Sequence, residues 1–141
     1  MADRRTIGFM LSTTGRKISQ YLTVRFQPFD VTSEQFTVLN RLAEQDGISQ
    51  KELSVRAEKD PTNVTRILDQ LERKGLVRRE MNPGDRRSFL TYITEAGRSL
   101  NEKLTPIETE VIEKVLKDLS EAEIEKFQII LSQINHNIEN E

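Results

Sequence analysis

Apolar residues recur at helical spacing early in the chain. Ile7, Met10, Leu11, Ile18, Tyr21, Leu22 and Phe26 share one side of a 3.6-residue turn, which predicts a helix over residues 4–27 ended by Pro28. Gly8 and Gly15 are poor helix formers inside it, and their small size suits a close crossing by another helix. Three short helices follow on good start signals. Thr32 and Gln35 form a capping box with Val31 and Phe36 as its hydrophobic staple; Ser49 and Glu52 repeat it, stapled by Ile48 and Leu53. These predict helices over residues 33–46 and 50–57, divided by Gly47. Asp60 then offers an N-cap oxygen and Pro61 takes the first helical position, so a third helix runs to Lys74, with Gly75 as the left-handed residue past its end.

The pattern then changes. Leu76 to Glu80 reads as a strand, Asn82-Pro83-Gly84-Asp85 as a turn, and Ser88 to Ile93 as the returning strand. Alternation is not clean there, so the register stays open. Thr94 caps a helix carrying Leu100, Leu104, Ile107, Val111, Val115 and Leu119, and Pro106 predicts a kink or break near Leu104–Thr105. Ser120 and Glu123 make another capping box, stapled by Leu119 and Ile124, and open a last helix with Phe127, Ile130, Leu131, Ile134 and Ile138. The fold class is mainly α with a small β-ribbon. The terminal helices carry apolar stripes that need cover, and a second subunit is the simplest source.

Composition narrows the chemistry. The 141 residues include no cysteine, which excludes disulfides, thiolate catalysis, thiol redox sensing and cysteine-ligated zinc. His136 is the sole histidine and lies in the polar tail of the last helix, so nucleophile–base pairs and ordinary zinc sites lack parts. Carboxylates such as Glu108, Glu110 and Glu113 fit a solvated helix face, and no phosphate-cradling glycine loop is present. The expectation is a protein that is not an enzyme and needs no cofactor or metal. No apolar run approaches membrane-spanning length and the first residues lack signal-peptide character, so a cytoplasmic protein is expected.

The formal net charge of −2 argues at first against nucleic acid. Its distribution matters more. Residues 51–87 carry a surplus of positive charge, whereas residues 88–141 are strongly acidic. A few well-placed Arg and Lys are enough for phosphate contact.

On a helical wheel Val64, Ile67, Leu68 and Leu71 gather on one side of the 61–74 helix. The other side shows Thr62, Asn63, Thr65 and Arg66, with Gln70 flanking them. Arg can fork onto guanine O6 and N7, Asn can pair with adenine, and Thr can touch a thymine methyl or a phosphate. A polar outer face is what any amphipathic helix shows. The short preceding helix, the tight link Ala57-Glu58-Lys59 and the capped next helix add a helix-turn-helix pattern. Asp85, Arg86 and Arg87 then sit at or just after a ribbon tip. One arginine is placed for a minor groove and the other to pair with Asp85; the residues leave open which does which, and the reading favours Arg87 for the groove. Gln50 and Lys51, with Arg73 and Arg78, are the candidate phosphate contacts.

These segments resemble the MarR (multiple antibiotic resistance regulator) family of bacterial transcription factors. DPTNVTRILDQLERKGLVRR is similar to that family's recognition helix and its exit, and NPGDRRSFLTYITEAG to its Asp-x-Arg wing and the Leu-Thr-x-x-Gly start of the next helix. EQFTVLNRLAEQDGISQKELSVRA fits the two preceding helices, so the likeness covers residues 33–97, and the termini match in layout only. Two small departures are Gly84, where a charged residue is common, and Ile93 in place of Leu.

The resemblance implies a winged helix-turn-helix fold in a homodimer with intertwined terminal helices. Residues 1–31 would form an N-terminal dimerisation helix, 32–97 the DNA-binding domain and 98–141 the C-terminal dimerisation helices. It further implies a regulator, usually a repressor, that binds a pseudo-palindromic double-stranded operator. Release would come from a small aromatic or phenolic ligand held between the dimerisation and DNA-binding regions, with Phe9, Arg16, Tyr21 and Phe36 as candidate lining residues. The rival reading is a winged-helix protein-interaction module without DNA binding. Arg66, Arg86 and Arg87 speak against it.

Overall fold

A computed structural model of the chain describes residues 1–140. Helix α1 spans Arg4–Phe26, α2 Ser33–Glu44, α3 Gln50–Ala57, α4 Pro61–Arg73, α5 Glu95–Val115 and α6 Glu121–Glu139. Strands are β1 Ile48–Ser49, β2 Val77–Asn82 and β3 Asp85–Ile93. Two compact units are distinguished, Met1–Glu108 and Thr109–Glu141, so their boundary falls inside α5. No helix among the described residues is long and apolar enough to cross a membrane.

The start signals act as their chemistry requires. Both oxygens needed for the boxes at Thr32–Gln35 and Ser120–Glu123 make their reciprocal bonds. Ser49 Oγ accepts from Glu52 N, and Asp60 Oδ1 from Asn63 N at 2.9 Å. Pro28 lies in a 3-10 turn, Gln27–Phe29, that ends on left-handed Asp30.

The first unit closes on one core. Val38, Leu39 and Leu42 of α2, Leu53 and Ala57 of α3, and Val64, Ile67, Leu68 and Leu71 of α4 meet Ile48, Leu76, Val77 and Ile93 from the sheet. Beside it Phe26 and Phe36 pack with ring centroids 5.1 Å apart.

The sheet has order β1-β3-β2, all antiparallel. The two-residue β1 was not expected. Gly47 N donates to Thr91 O at 3.0 Å, and buried Thr91 donates its hydroxyl to Ile48 O at 2.7 Å, which draws this short segment onto the ribbon. The other two strands run longer than the sequence predicts.

The α4–β2 corner is anchored to the start of α5. Thr94 Oγ1 donates to Gly75 O at 2.7 Å and accepts from Gly97 N at 3.1 Å, which makes Thr94 the expected cap. A Cβ on Gly97 would collide with the Leu76 carbonyl oxygen, so the helix approaches this closely only with glycine there. Helix α5 runs through Pro106 without the break considered above, while Thr105 donates its hydroxyl to Asn101 O one turn back.

Among the described residues, nothing lies within 4 Å of a Cβ placed on Gly8 or Gly15. Ile7, Phe9 and Met10 on α1 are exposed, as are Phe127, Ile129, Ile130 and Ile138 on α6. Helix α6 buries no residue at all.

Candidate nucleic-acid interface

Helix α4 is held from behind by its four fully buried apolar residues, which fixes the direction of the opposite face. Its entry is a tight turn. Glu58 adopts φ 53° and its N–H donates back to α3, so the chain leaves that helix sharply and starts α4 within a few residues. Thr62, Thr65 and Arg66 are exposed and Asn63 is half-buried.

These side chains are already organised. Thr65 Oγ1 donates to Pro61 O at 3.0 Å and accepts from Gln50 Nε2 at 3.2 Å. Gln50 is therefore tied to α4 rather than freely presented to phosphate, as the sequence reading expected, and its Oε1 is buried without a partner. Arg66 donates to Asn63 Oδ1 and lies 3.4 Å from Glu34 Oε2 on α2. Gln70 is turned towards α2, where its Oε1 accepts from Gln35 Nε2 at 3.0 Å. Gln35 Oε1 also accepts from Lys74 Nζ at 3.2 Å, and Lys74 reaches the Asp30 carbonyl. One edge of α4 is thus stapled to the α1–α2 junction.

The wing root is an ion-pair cluster that sequence reasoning missed. Arg79 is largely buried and contacts Asp69 Oδ1 at 2.6 Å and Glu72 Oε1 at 2.8 Å. Burial works against its charge, but the bonds to Glu72 and Asp69 outweigh it and hold the guanidinium above its ordinary value. Asp69 on α4 thereby locks β2 to that helix. Arg79 pairs across the ribbon with buried Thr91, in a register that the sequence left open.

At the tip the register breaks. Met81 pairs with Phe89, but the next pair is Asn82 with Asp85, so Arg86, Arg87 and Ser88 bulge from β3. Asn82 Oδ1 accepts from Gly84 N, and Asp85 Oδ1 from Arg87 N at 3.0 Å. Arg87, which the sequence reading favoured for the groove, is also the arginine that contacts Asp85, and it does so while exposed. Arg86 is exposed as well. Arg78 stacks over Tyr92 at 4.4 Å and contacts Glu80 at 2.7 Å, whereas Lys51 and Arg73 are open to solvent.

The four candidate pocket residues do not come together. Phe36 is core against Phe26, Phe9 and Arg16 are exposed along α1, and Tyr21 is half-buried. A cavity of about 430 Å³ lies elsewhere, between α1, α2 and α4, lined by Ser19, Gln20, Thr23, Glu34, Arg66 and Gln70.

A helix-turn-helix with a three-stranded sheet, flanked in sequence by the long helices α1, α5 and α6, matches known proteins. The model of the MarR family matches residues 31–89. The transcriptional regulator HosA of Escherichia coli is 32% identical over 123 residues, covering 85% of this chain and 91% of that protein. The chain belongs to the MarR family.

An HTH-type transcriptional repressor of Mycobacterium tuberculosis is 25% identical, with coverage of 95% of this chain and 96% of that protein. Among solved structures, a mutant Escherichia coli MarR complexed with operator DNA superposes with a TM-score of 0.85 at 27% identity, covering 92% of this chain and 93% of that one. The chain is a transcriptional regulator of the MarR type with the winged-helix fold.

Proposed function

We propose that this MarR-type regulator binds a pseudo-palindromic operator as a homodimer, acts as a repressor in the cytoplasm, and is released by a small aromatic ligand. One observation carries the reading: α4 exposes Thr62, Thr65 and Arg66 from a helix locked by the core, beside a wing whose Arg87 is exposed and aimed by Asp85. Thr62, Asn63, Thr65 and Arg66 meet base edges, and Gln70 flanks them. Lys51 and Arg73 take phosphates, Gln50 positions Thr65, and Arg87 enters the minor groove while Arg86 and Arg78 stay by the backbone.

The uncovered apolar faces of α1 and α6 support the dimer, because a second copy supplies what each chain lacks. Two α4 helices about a two-fold axis then enter successive major grooves ~34 Å apart. The cavity between α1, α2 and α4 is the place for the effector, because a ligand there touches both a terminal helix and Arg66. It shifts affinity to the extent that it binds the two helix spacings unequally.

The test is binding of the purified protein to random-sequence duplex across a salt series. A DNA reader shows a steep fall of log K with log[salt]. A flat response would mark a protein-interaction module instead.

A further inference from the structure

Glu34 and Arg66 belong to different helices, yet the Arg66 guanidinium lies 3.4 Å from the Glu34 carboxylate. Glu34 is in the first turn of α2 and is about half exposed, as is Arg66. An ion pair so open to water contributes little to stability. Its position is informative instead, because it sets a negative charge beside the side chain that the reading above assigns to a base.

We propose that Glu34 is a specificity-determining residue that makes Arg66 selective for a base edge over phosphate. The inference rests on the assignment of Arg66 as a base contact. A phosphate that took Arg66 would bring a second negative charge beside Glu34. A guanine edge brings two acceptors, O6 and N7, and no net charge. The guanidinium has five N–H donors in a planar fork, so one nitrogen keeps Glu34 while others reach the base. Glu34 therefore weakens indiscriminate binding more than binding at a matched site. Asn63, which accepts from Arg66, holds the same guanidinium from the α4 side.

The experiment compares the parent with Glu34→Gln, Glu34→Asp, Arg66→Ala and the Glu34→Gln/Arg66→Ala double variant. Each full-length protein is titrated with a random-sequence duplex and with a duplex recovered by selection, over a range of salt, after its thermal unfolding has been checked. Glu34→Gln is expected to tighten binding to the random duplex about two- to fivefold. Its salt slope there is expected to steepen by about 0.9, as Arg66 gains a phosphate. The recovered site gains less, so discrimination falls, and in the Arg66→Ala background the substitution changes neither quantity. Glu34→Asp, which keeps the charge, retains more discrimination than Glu34→Gln.

Equal tightening on both duplexes, or the same tightening without Arg66, would overturn the proposal and leave Glu34 as general repulsion. If Arg66→Ala alone leaves sequence preference intact, the base-contact reading fails and the proposal falls with it. If Arg66→Ala erases that preference while Glu34→Gln leaves discrimination unchanged, only the proposal falls.

Discussion

Arg87 is joined to Asp85, with Nε 3.5 Å from Oδ1, while its side chain remains 94% exposed. A partner that leaves the guanidinium in solvent does not withdraw it. Asp85 also accepts from Arg87 N, so one carboxylate fixes both the backbone and the direction of the side chain. Arg87→Ala is expected to weaken binding most at sites with A·T-rich flanks, where the narrow minor groove strengthens the attraction. Asp85→Asn is expected to lose part of the same effect by loosening the aim. Fluorescence-anisotropy titrations with A·T-flanked and G·C-flanked duplexes measure both. An equal loss on the two flanks would make Arg87 a phosphate contact.

Arg79 is expected to act on stability first and on DNA second. Its guanidinium bridges β2 to Asp69 and Glu72 of the α4 region, and its stem is packed at the wing root. Arg79→Ala should lower unfolding free energy by about 1–3 kcal/mol in urea, the range for disrupting such a network. Binding should weaken alike on all sequences, because the wing loses its anchor and no base reader is removed. Unchanged stability would show the cluster to be incidental.

Gly97 gives a sharper packing test. A side chain there meets the Leu76 carbonyl, which is backbone and cannot rotate away, and Ile93 Cγ1 as well. Gly97→Ala should destabilise by about 1–3 kcal/mol despite the better helix propensity of alanine. Thermal unfolding reads the difference directly, and a stabilised variant would contradict the close approach of α5 to the α4–β2 corner.

Burial raises the Glu108 carboxyl above its ordinary range, opposed by attraction to Arg41. The folded state therefore holds this proton more tightly than the unfolded chain. Stability from the group is fully present below the ordinary carboxylate range and is lost as pH rises through the raised folded value. Glu108→Gln should be more stable than the parent near pH ~7, with the advantage shrinking towards pH ~3.5, below the ordinary Glu value. Urea unfolding at both pH values checks it; a variant less stable at neutral pH would mean that Arg41 attraction outweighs burial.

Much of this fold was readable from local chemistry. Asp60 with Pro61, Thr32 with Gln35 and Ser120 with Glu123 each announce a helix start through bonds within one turn, and the structure makes those bonds. The wing motif and the outward side of α4 were legible for the same reason. What was hidden depends on contacts distant in sequence. Nothing near Ile48 announces a strand, because β1 exists only by pairing with Thr91 and Leu90. Phe36 reads alike from sequence as core and as pocket lining, since both present an aromatic on an apolar face; its contact with Phe26 is visible only in the structure. The partners of Arg79 and Glu34 lie on α4, beyond the reach of any local pattern. The bulge at Arg86–Ser88 was hidden for the related reason that the strand alternation fails there.

The account turns on paired α4 helices reading duplex DNA, and selection from a random duplex pool with the purified protein tests it most directly. Enriched sequences are expected to contain two inverted half-sites about 10–10.5 base pairs apart, centre to centre. A pool that shows no enrichment, or one that yields only a single isolated half-site, would contradict it.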